Sequence, residues 1–257
     1  MTTTTPVTTS PLRTPPMTTS LVATVSPVST ASTSRLRPGF QNAARSQESF
    51  LSGWEKKCLA WLAARMPAWV HPDHLTLLGF AAMFLAGASY ALAAWQPAFL
   101  LLVNVWLAVN WFGDSLDGTL ARFRNRQRPR YGFYVDHMVD SFGALFLLGG
   151  LALSGTMGAG VAFALLVAFL LLSVNTYLAT YTLGTFQLSF WKMSPTELRI
   201  LLAIGNVYAW AHPTVTVFGG RERFFDVAGF AGAVCMAVVL VASVAKNTLA
   251  LYRLEKL

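Results

Sequence analysis

The chain has 257 residues, 54% of them hydrophobic and 12% charged, and a mean hydropathy of +0.51, which describes one polytopic membrane domain with a tail. The net charge of +8 reads as a collar for anionic lipid and phosphate, which argues against a nucleic-acid surface. Two cysteines, Cys58 and Cys235, are too few and too far apart for a disulfide framework or a cysteine zinc site.

Residues 1–45 are rich in Thr, Ser and Pro and contain no acid. Such a composition cannot bury enough apolar surface to offset its ordering entropy, so a disordered tail is expected there. Its one apolar patch, Leu21–Val25, is far shorter than the hydrophobic region of a signal peptide. Over residues 46–70 the pattern changes. Phe50, Leu51, Trp54, Leu59, Trp61 and Leu62 recur near helical spacing, with Glu55, Lys56, Lys57 and Arg65 between them. An amphipathic helix in the headgroup layer is expected, with its tryptophans as anchors.

Residues 71–257 read as six membrane-spanning helices, making an all-α membrane protein. The hydrophobic runs are Leu75–Trp95, Pro97–Gly113, Phe133–Ser154, Gly158–Tyr181, Thr196–Phe218 and Phe225–Leu249. His71-Pro72-Asp73-His74-Leu75-Thr76 opens the first run as a helix start, with Pro72 in the first turn and Asp73 facing free amides. Ser194-Pro195-Thr196-Glu197 has the form of a capping box before the fifth run, and His212-Pro213 is a place where that run can end early. Only Arg221 and Arg223 of the nineteen Lys and Arg residues fall on the opposite side from the rest. By the positive-inside rule, both termini and the connection after the second run face the cytoplasm. A bacterial inner membrane is the expected location.

Four of the eleven acids, Asp114, Asp117, Asp136 and Asp140, fall within residues 114–140. Asp114, Asp117 and Ala121 share one helical face, and Asp136 and Asp140 share another on the next helix. A short connection makes these two helices antiparallel neighbours, so the two acidic faces can meet. Carboxylates about 5 Å apart at an effective dielectric near 20 repel by roughly 3 kcal/mol per pair. All-oxygen ligation of Mg²⁺ or Mn²⁺ resolves that repulsion, and Mg²⁺ usually shares its coordination sphere with phosphate. Gly118 and Ala121 remove bulk beside the acids, and Gly132 clears space before the second helix. Arg122 is placed to pair with a phosphate oxygen. The Arg124, Arg126, Arg128 and Arg130 run is read as topological. Asn175, Tyr177, Tyr181, Lys192, Glu197, Arg199 and Asn206 lie where a second substrate can arrive from the cytosol, and Lys192 and Arg199 are suited to gripping an anion.

These residues, Asp114-x2-Asp117-Gly118-x2-Ala121-Arg122-x9-Gly132-x3-Asp136-x3-Asp140, resemble the signature of the CDP-alcohol phosphatidyltransferases. Pro72-Asp73-His74-Leu75-Thr76 also looks like that family's Pro-Asn-x-hydrophobic-Thr start, with Asp73 in place of Asn. The resemblance implies that an acceptor hydroxyl attacks the phosphorus of a CDP-linked alcohol and CMP leaves. It further implies two divalent metals on Asp114, Asp117 and Asp136, with Asp140 as a contributing ligand. Gly118, Ala121, Arg122 and Gly132 would shape the CMP pocket, and Asp140 would be the general base. A homodimer is a further implication.

The donor is either CDP-diacylglycerol or a CDP-linked headgroup. Asp136-His137-x-x-Asp140-Ser141 looks like the Asp-His-x-x-Asp-Ser of the choline and ethanolamine branch, in which His137 is a candidate base. The short chain and six-helix plan lean towards CDP-diacylglycerol. A reading from a different class, a membrane cation or proton carrier, explains clustered Asp. It leaves Gly118, Ala121, Arg122 and Gly132 at fixed spacing without a purpose.

Overall fold

A computed structural model describes residues 52–183, 195–217 and 219–256, so the tail expected over 1–45 and the anion-gripping Lys192 lie outside the described residues. The elements are α1 (Ser52–Arg65), α2 (Pro72–Leu92), α3 (Phe99–Phe123), α4 (Pro129–Leu153), α5 (Ala159–Leu183) and α6 (Pro195–Ala211). They continue with the hairpin β1 (Thr214–Val217) and β2 (Gly220–Arg223), and with α7 (Phe224–Leu254). Five of the helices, α2, α3, α4, α5 and α7, are long and apolar enough to cross a membrane.

The expected run Thr196–Phe218 is not one continuous helix. His212-Pro213 ends α6 at Ala211, because proline has no amide to donate and disfavours a helical residue before it. The 17 residues of α6 extend about 25 Å at 1.5 Å per residue. That is at the lower end of the length with which a helix crosses a bilayer. The chain after it turns back through the antiparallel hairpin, with Gly219 in the left-handed region at φ 86°. Among the described residues the bundle is therefore five long helices and one shorter one.

The connection between the two acidic helices is built into the sequence. Asn125 takes the left-handed conformation at φ 53° just past α3. The Arg126 amide then donates to the Ala121 carbonyl at 2.9 Å and the Asn125 amide to the Arg122 carbonyl at 3.1 Å. This pair of bonds satisfies carbonyls that the helix end leaves open. Pro129, with its fixed φ, starts α4 three residues later.

Helix α2 packs against both α3 and α4, and glycines decide how closely. A Cβ on Gly113 would sit 2.6 Å from the Leu75 carbonyl oxygen and 2.7 Å from the Gly79 nitrogen. The α2 and α3 backbones therefore touch one residue before Asp114. Gly87 and Gly150 make the equivalent approach between α2 and α4. In lipid, where apolar contact with the solvent is no worse than contact with another helix, such close packing and interhelical hydrogen bonds hold a bundle together. Asn110 supplies one, its Nδ2 donating to the Gly79 carbonyl at 3.0 Å.

Helix α1 lies on this frame through Leu59 and Ala63, which pack with Val70, Leu75, Leu116 and Leu120. Its Trp54 and Trp61 point away and are exposed. Arg124 fixes its far end by donating to the carbonyls of Val70, Met66 (3.0 Å) and Pro67 (2.8 Å). Arg128 pairs with Asp73 and stacks on Tyr131. Two arginines read from sequence as topological are thus structural fasteners. Asp73, expected to face free helix amides, is instead the partner of Arg128.

Gly113→Ala should lower the thermal unfolding midpoint in detergent, at a cost of about 1–3 kcal/mol for overpacking. Gly149, whose added Cβ would meet nothing within 4 Å, is the matched control. Gly149→Ala should be neutral or slightly stabilising, by up to about 1 kcal/mol of helix propensity. Equal midpoints for the two variants would refute a backbone-contact role for Gly113.

Candidate active site

The α2–α3 crossing places Thr76 opposite Asp117, and the Thr76 hydroxyl donates to Asp117 Oδ2 at 2.6 Å. The Gly118 amide donates to the other oxygen of the same carboxylate. One turn earlier, Asp114 Oδ2 accepts from Arg199 Nη2 of α6 at 2.6 Å. Arg199 Nε donates to Asn110 Oδ1 at 2.8 Å. Asn110, held by the Gly79 carbonyl, thus aims Arg199 at Asp114.

Asp136 comes from α4. The charges of Asp114 and Asp136 both bear on Asp117. Asp140 lies one turn further along α4 and is exposed, whereas His137 is buried. The His137 ring stacks on Tyr177 of α5 at 4.6 Å between centroids and meets the edge of Phe133 at 4.2 Å. Asp140 and Asp136 are the charges that bear on the Tyr177 hydroxyl.

The glycines of the site behave unlike those of the core. A Cβ on Gly132 would meet nothing within 4 Å, and one on Gly118 would touch only the Arg122 guanidinium, at 3.4 Å. Helix packing does not demand glycine at either position, so the room they leave beside Asp117 and Asp136 is available to a ligand. Arg122 is exposed, and its Nη2 donates to Thr119 at 3.1 Å. Ala121 is half-buried on the same helix turn. A groove of about 200 Å³ runs from Thr76 and Asp73 between α2 and α4, lined by Leu77, Phe80, Tyr131, Val135 and Val139. Its polar end is Asp73 and Thr76, the latter bonded to Asp117, and its wall is otherwise mainly apolar.

Among the described residues no three His, Cys, Asp or Glu side chains converge as a ready-made metal cage. Thr76 and Arg199 hold two of the acids through hydrogen bonds instead. The donor set itself is all carboxylate oxygen, the chemistry of a hard divalent ion. The space at Gly118 and Gly132 is where a phosphate sharing that ion would have to fit, so the residues present suit such an ion.

The family model described as CDP-alcohol phosphatidyltransferase matches residues 69–245. The chain belongs to this family. It is an integral membrane protein, on the strength of that membership and of its apolar helices. It is 38% identical over 125 residues to the CDP-diacylglycerol--serine O-phosphatidyltransferase of Encephalitozoon cuniculi, covering 46% of this chain and 32% of that protein. It is 28% identical over 208 residues to human cholinephosphotransferase 1, covering 73% of this chain and 50% of that protein. With the archaetidylinositol phosphate synthase of Pyrococcus horikoshii it shares 31% identity over 106 residues, 41% of this chain and 53% of the relative. The chain thus spans from about a third to a little over half of the length of these curated relatives.

Three contributors were not singled out from sequence for their roles here. Thr76 was read as part of a helix start that resembles the family's, with no role beside the acids, although it stands three residues before Gly79 as Asp117 stands four after Gly113. Asn110 lies four residues before Asp114, on the acidic face, and that spacing was the available signal. Arg199 was expected at a second substrate and is found on Asp114. Asn206, grouped with the same polar set, is buried, accepting from Tyr90 at 2.7 Å and donating to Asn104 at 2.7 Å. Asn175 donates to Ser243 of α7 at 2.8 Å.

Thr76→Val preserves shape and removes the hydroxyl that Asp117 accepts from. A hydrogen bond to a charged group contributes about 1.5–3 kcal/mol. Thr76→Val should therefore lower the unfolding midpoint, and Thr76→Ser should restore most of it. If Thr76→Val and Thr76→Ser melt alike, the bond to Asp117 carries no weight.

Proposed function

We propose that the protein transfers a phospho-alcohol group from a CDP-alcohol to an acceptor hydroxyl, releasing CMP, in phospholipid synthesis. The observation that supports this reading is the pairing of Asp114 and Asp117 on α3, with the charge of Asp136 on α4 bearing on Asp117, beside the open positions of Gly118 and Gly132 in the segment that matches the family. Asp114, Asp117 and Asp136, with Asp140, are the residues that would hold two Mg²⁺ or Mn²⁺ ions. Such ions, when bound, neutralise charge on the pyrophosphate and favour an in-line displacement.

The protein's own groups do the rest. Gly118, Ala121 and Gly132 keep the backbone accessible to the CMP moiety, and Arg122 pairs with a phosphate oxygen. Asp140 takes the proton from the acceptor hydroxyl as its oxygen attacks phosphorus and CMP departs. The exposure of Asp140 supports this role, while His137 is packed between Phe133 and Tyr177. The apolar groove between α2 and α4 suits the acyl chain of a lipid substrate whose reacting end lies at the acids.

The donor in this reading is CDP-diacylglycerol. The Arg199 cation beside Asp114 supports it, since an anionic polar acceptor would find its counter-charge there. A second reading, transfer of a CDP-linked choline- or ethanolamine-type headgroup to a lipid hydroxyl, rests on Asp136-His137-x-x-Asp140-Ser141. It also draws on the alignment with human cholinephosphotransferase 1 over 73% of this chain.

Purified protein offered each donor separately should release CMP with one of them, only with Mg²⁺ or Mn²⁺ present, and not in excess chelator. Asp117→Asn should cut turnover by orders of magnitude while the protein still inserts. Asp140→Asn should abolish turnover but leave nucleotide binding largely intact, and His137→Ala should keep measurable activity. Full activity in chelator would sink the metal reading. A His137→Ala variant as inactive as Asp140→Asn, with nucleotide still bound, would move the base to His137 and favour the headgroup donor.

The active site and both termini face the cytoplasm of a bacterial inner membrane in this reading, and the protein works as a homodimer. The confinement of opposite-side arginines to Arg221 and Arg223 supports the orientation. A cysteine placed at Arg126 should resist a membrane-impermeant thiol reagent in intact cells. Labelling of that cysteine from outside would reverse the orientation.

A further inference from the structure

Helix α1 carries one acid among the described residues, Glu55, and the structure gives it two partners on two other helices. Its Oε1 accepts from the Trp111 indole Nε1 of α3 at 2.8 Å and from the Thr196 hydroxyl of α6 at 2.7 Å. Trp111 stands three residues before Asp114, and Thr196 stands three residues before Arg199. Residues three apart on a helix share a face. One carboxylate oxygen therefore fixes α3 and α6 one turn away from the Arg199–Asp114 bond, on the side towards α1.

Helix α6 packs chiefly on α3. Among the described residues its N-terminal half faces its surroundings through exposed Leu198, Ile200 and Leu201. Its polar ties there include Thr196 to Glu55 and Arg199 to Asn110 and Asp114. Those two ties lie on one face, so loss of the first lets the helix end rotate or lift and moves the guanidinium of the second.

We propose that Glu55 is a positioning residue that holds Arg199 in register with Asp114, so that the seating of α1 sets the cationic side of the active site. Glu55 touches no reacting atom and acts through Thr196 and Trp111. The kinetic part of this inference rests on the proposed transferase reaction with an anionic acceptor, and the structural part does not. A carboxylate is not required for the geometry itself, because an amide oxygen accepts from the same two donors.

Two measurements on the full chain in proteoliposomes test it. The first places spin labels at the native Cys58 of α1 and at a cysteine replacing the exposed Ile204 of α6, with Cys235→Ser removing the remaining thiol. Pulsed dipolar spectroscopy should give a narrow distance distribution that broadens or shifts in Glu55→Ala and is retained in Glu55→Gln. The second is steady-state kinetics. Glu55→Ala should raise the acceptor KM about tenfold or more while kcat and donor KM stay within about threefold, which is the pattern of lost acceptor positioning. Glu55→Gln should recover most of the loss, and Lys56→Ala, exposed on the same helix, should match wild type. In an Arg199→Gln background Glu55→Ala should have no further effect on acceptor KM.

An unchanged distance distribution in Glu55→Ala overturns the proposal. So does an equal fall in kcat with both substrates, which marks general loss of structure, or full additivity with Arg199→Gln. A wild-type protein that releases no CMP from any CDP-alcohol sinks the transferase reading, while the distance measurement still decides the role of Glu55.

Discussion

Backbone contact between α2 and α3 at Gly79 and Gly113 sets the spacing of every group on the acidic side of this protein. With side chains at those positions the two helices would stand several ångströms further apart, as helix pairs with ordinary residues at the contact do. Thr76 would then fall short of Asp117, and Asn110 short of the Gly79 carbonyl. In a bilayer no hydrophobic gain compensates for a looser contact, so small residues carry the association. The same feature that holds the bundle together therefore builds the floor of the candidate site.

On that floor the problem is charge. Carboxylates whose charges bear on one another repel in a medium of low dielectric, and each must find a partner. Asp117 finds a hydroxyl and a backbone amide, and Asp114 finds a guanidinium aimed by an asparagine. These partners are themselves fixed by helix packing, so the carboxylates are held where they stand. In the proposed reading a divalent ion would supply the positive charge that the acids lack, and a pyrophosphate would fill the open space at Gly118 and Gly132.

Arginine and glutamate side chains extend this order to the periphery. Arg124 ties the carbonyls after α1 to the end of α3, and Arg128 ties the start of α2 to the start of α4. Glu55 joins α1 to α3 and α6. The far end has its own fastening, where Asp226 accepts from the Gly158 amide at 2.5 Å and from Arg223 at 2.6 Å. Helix α1 is thereby clamped at both ends on the side of the acids, with Trp54, Trp61 and the nearby Trp69 left exposed. Aromatic rings in that situation suit the headgroup layer.

Much of this was legible in the sequence, because the signals were local. Apolar runs of spanning length gave the long helices, proline and histidine marked the end of α6, and periodicity put Asp114 and Asp117 on one face. The fixed spacing of the acidic motif pointed to the family that the comparison then established. What the sequence left undetermined were pairings between residues distant along the chain. Thr76 with Asp117, Arg199 with Asp114, and Glu55 with Trp111 and Thr196 are separated by 41, 85, 56 and 141 positions. Such pairs depend on which helices become neighbours and in what rotation, and composition and periodicity do not specify that. The burial of His137 against Tyr177, and the use of Arg124 and Arg128 as fasteners, were decided the same way. A side chain's type and spacing limit the chemistry it can do, but only the packed bundle selects its partner.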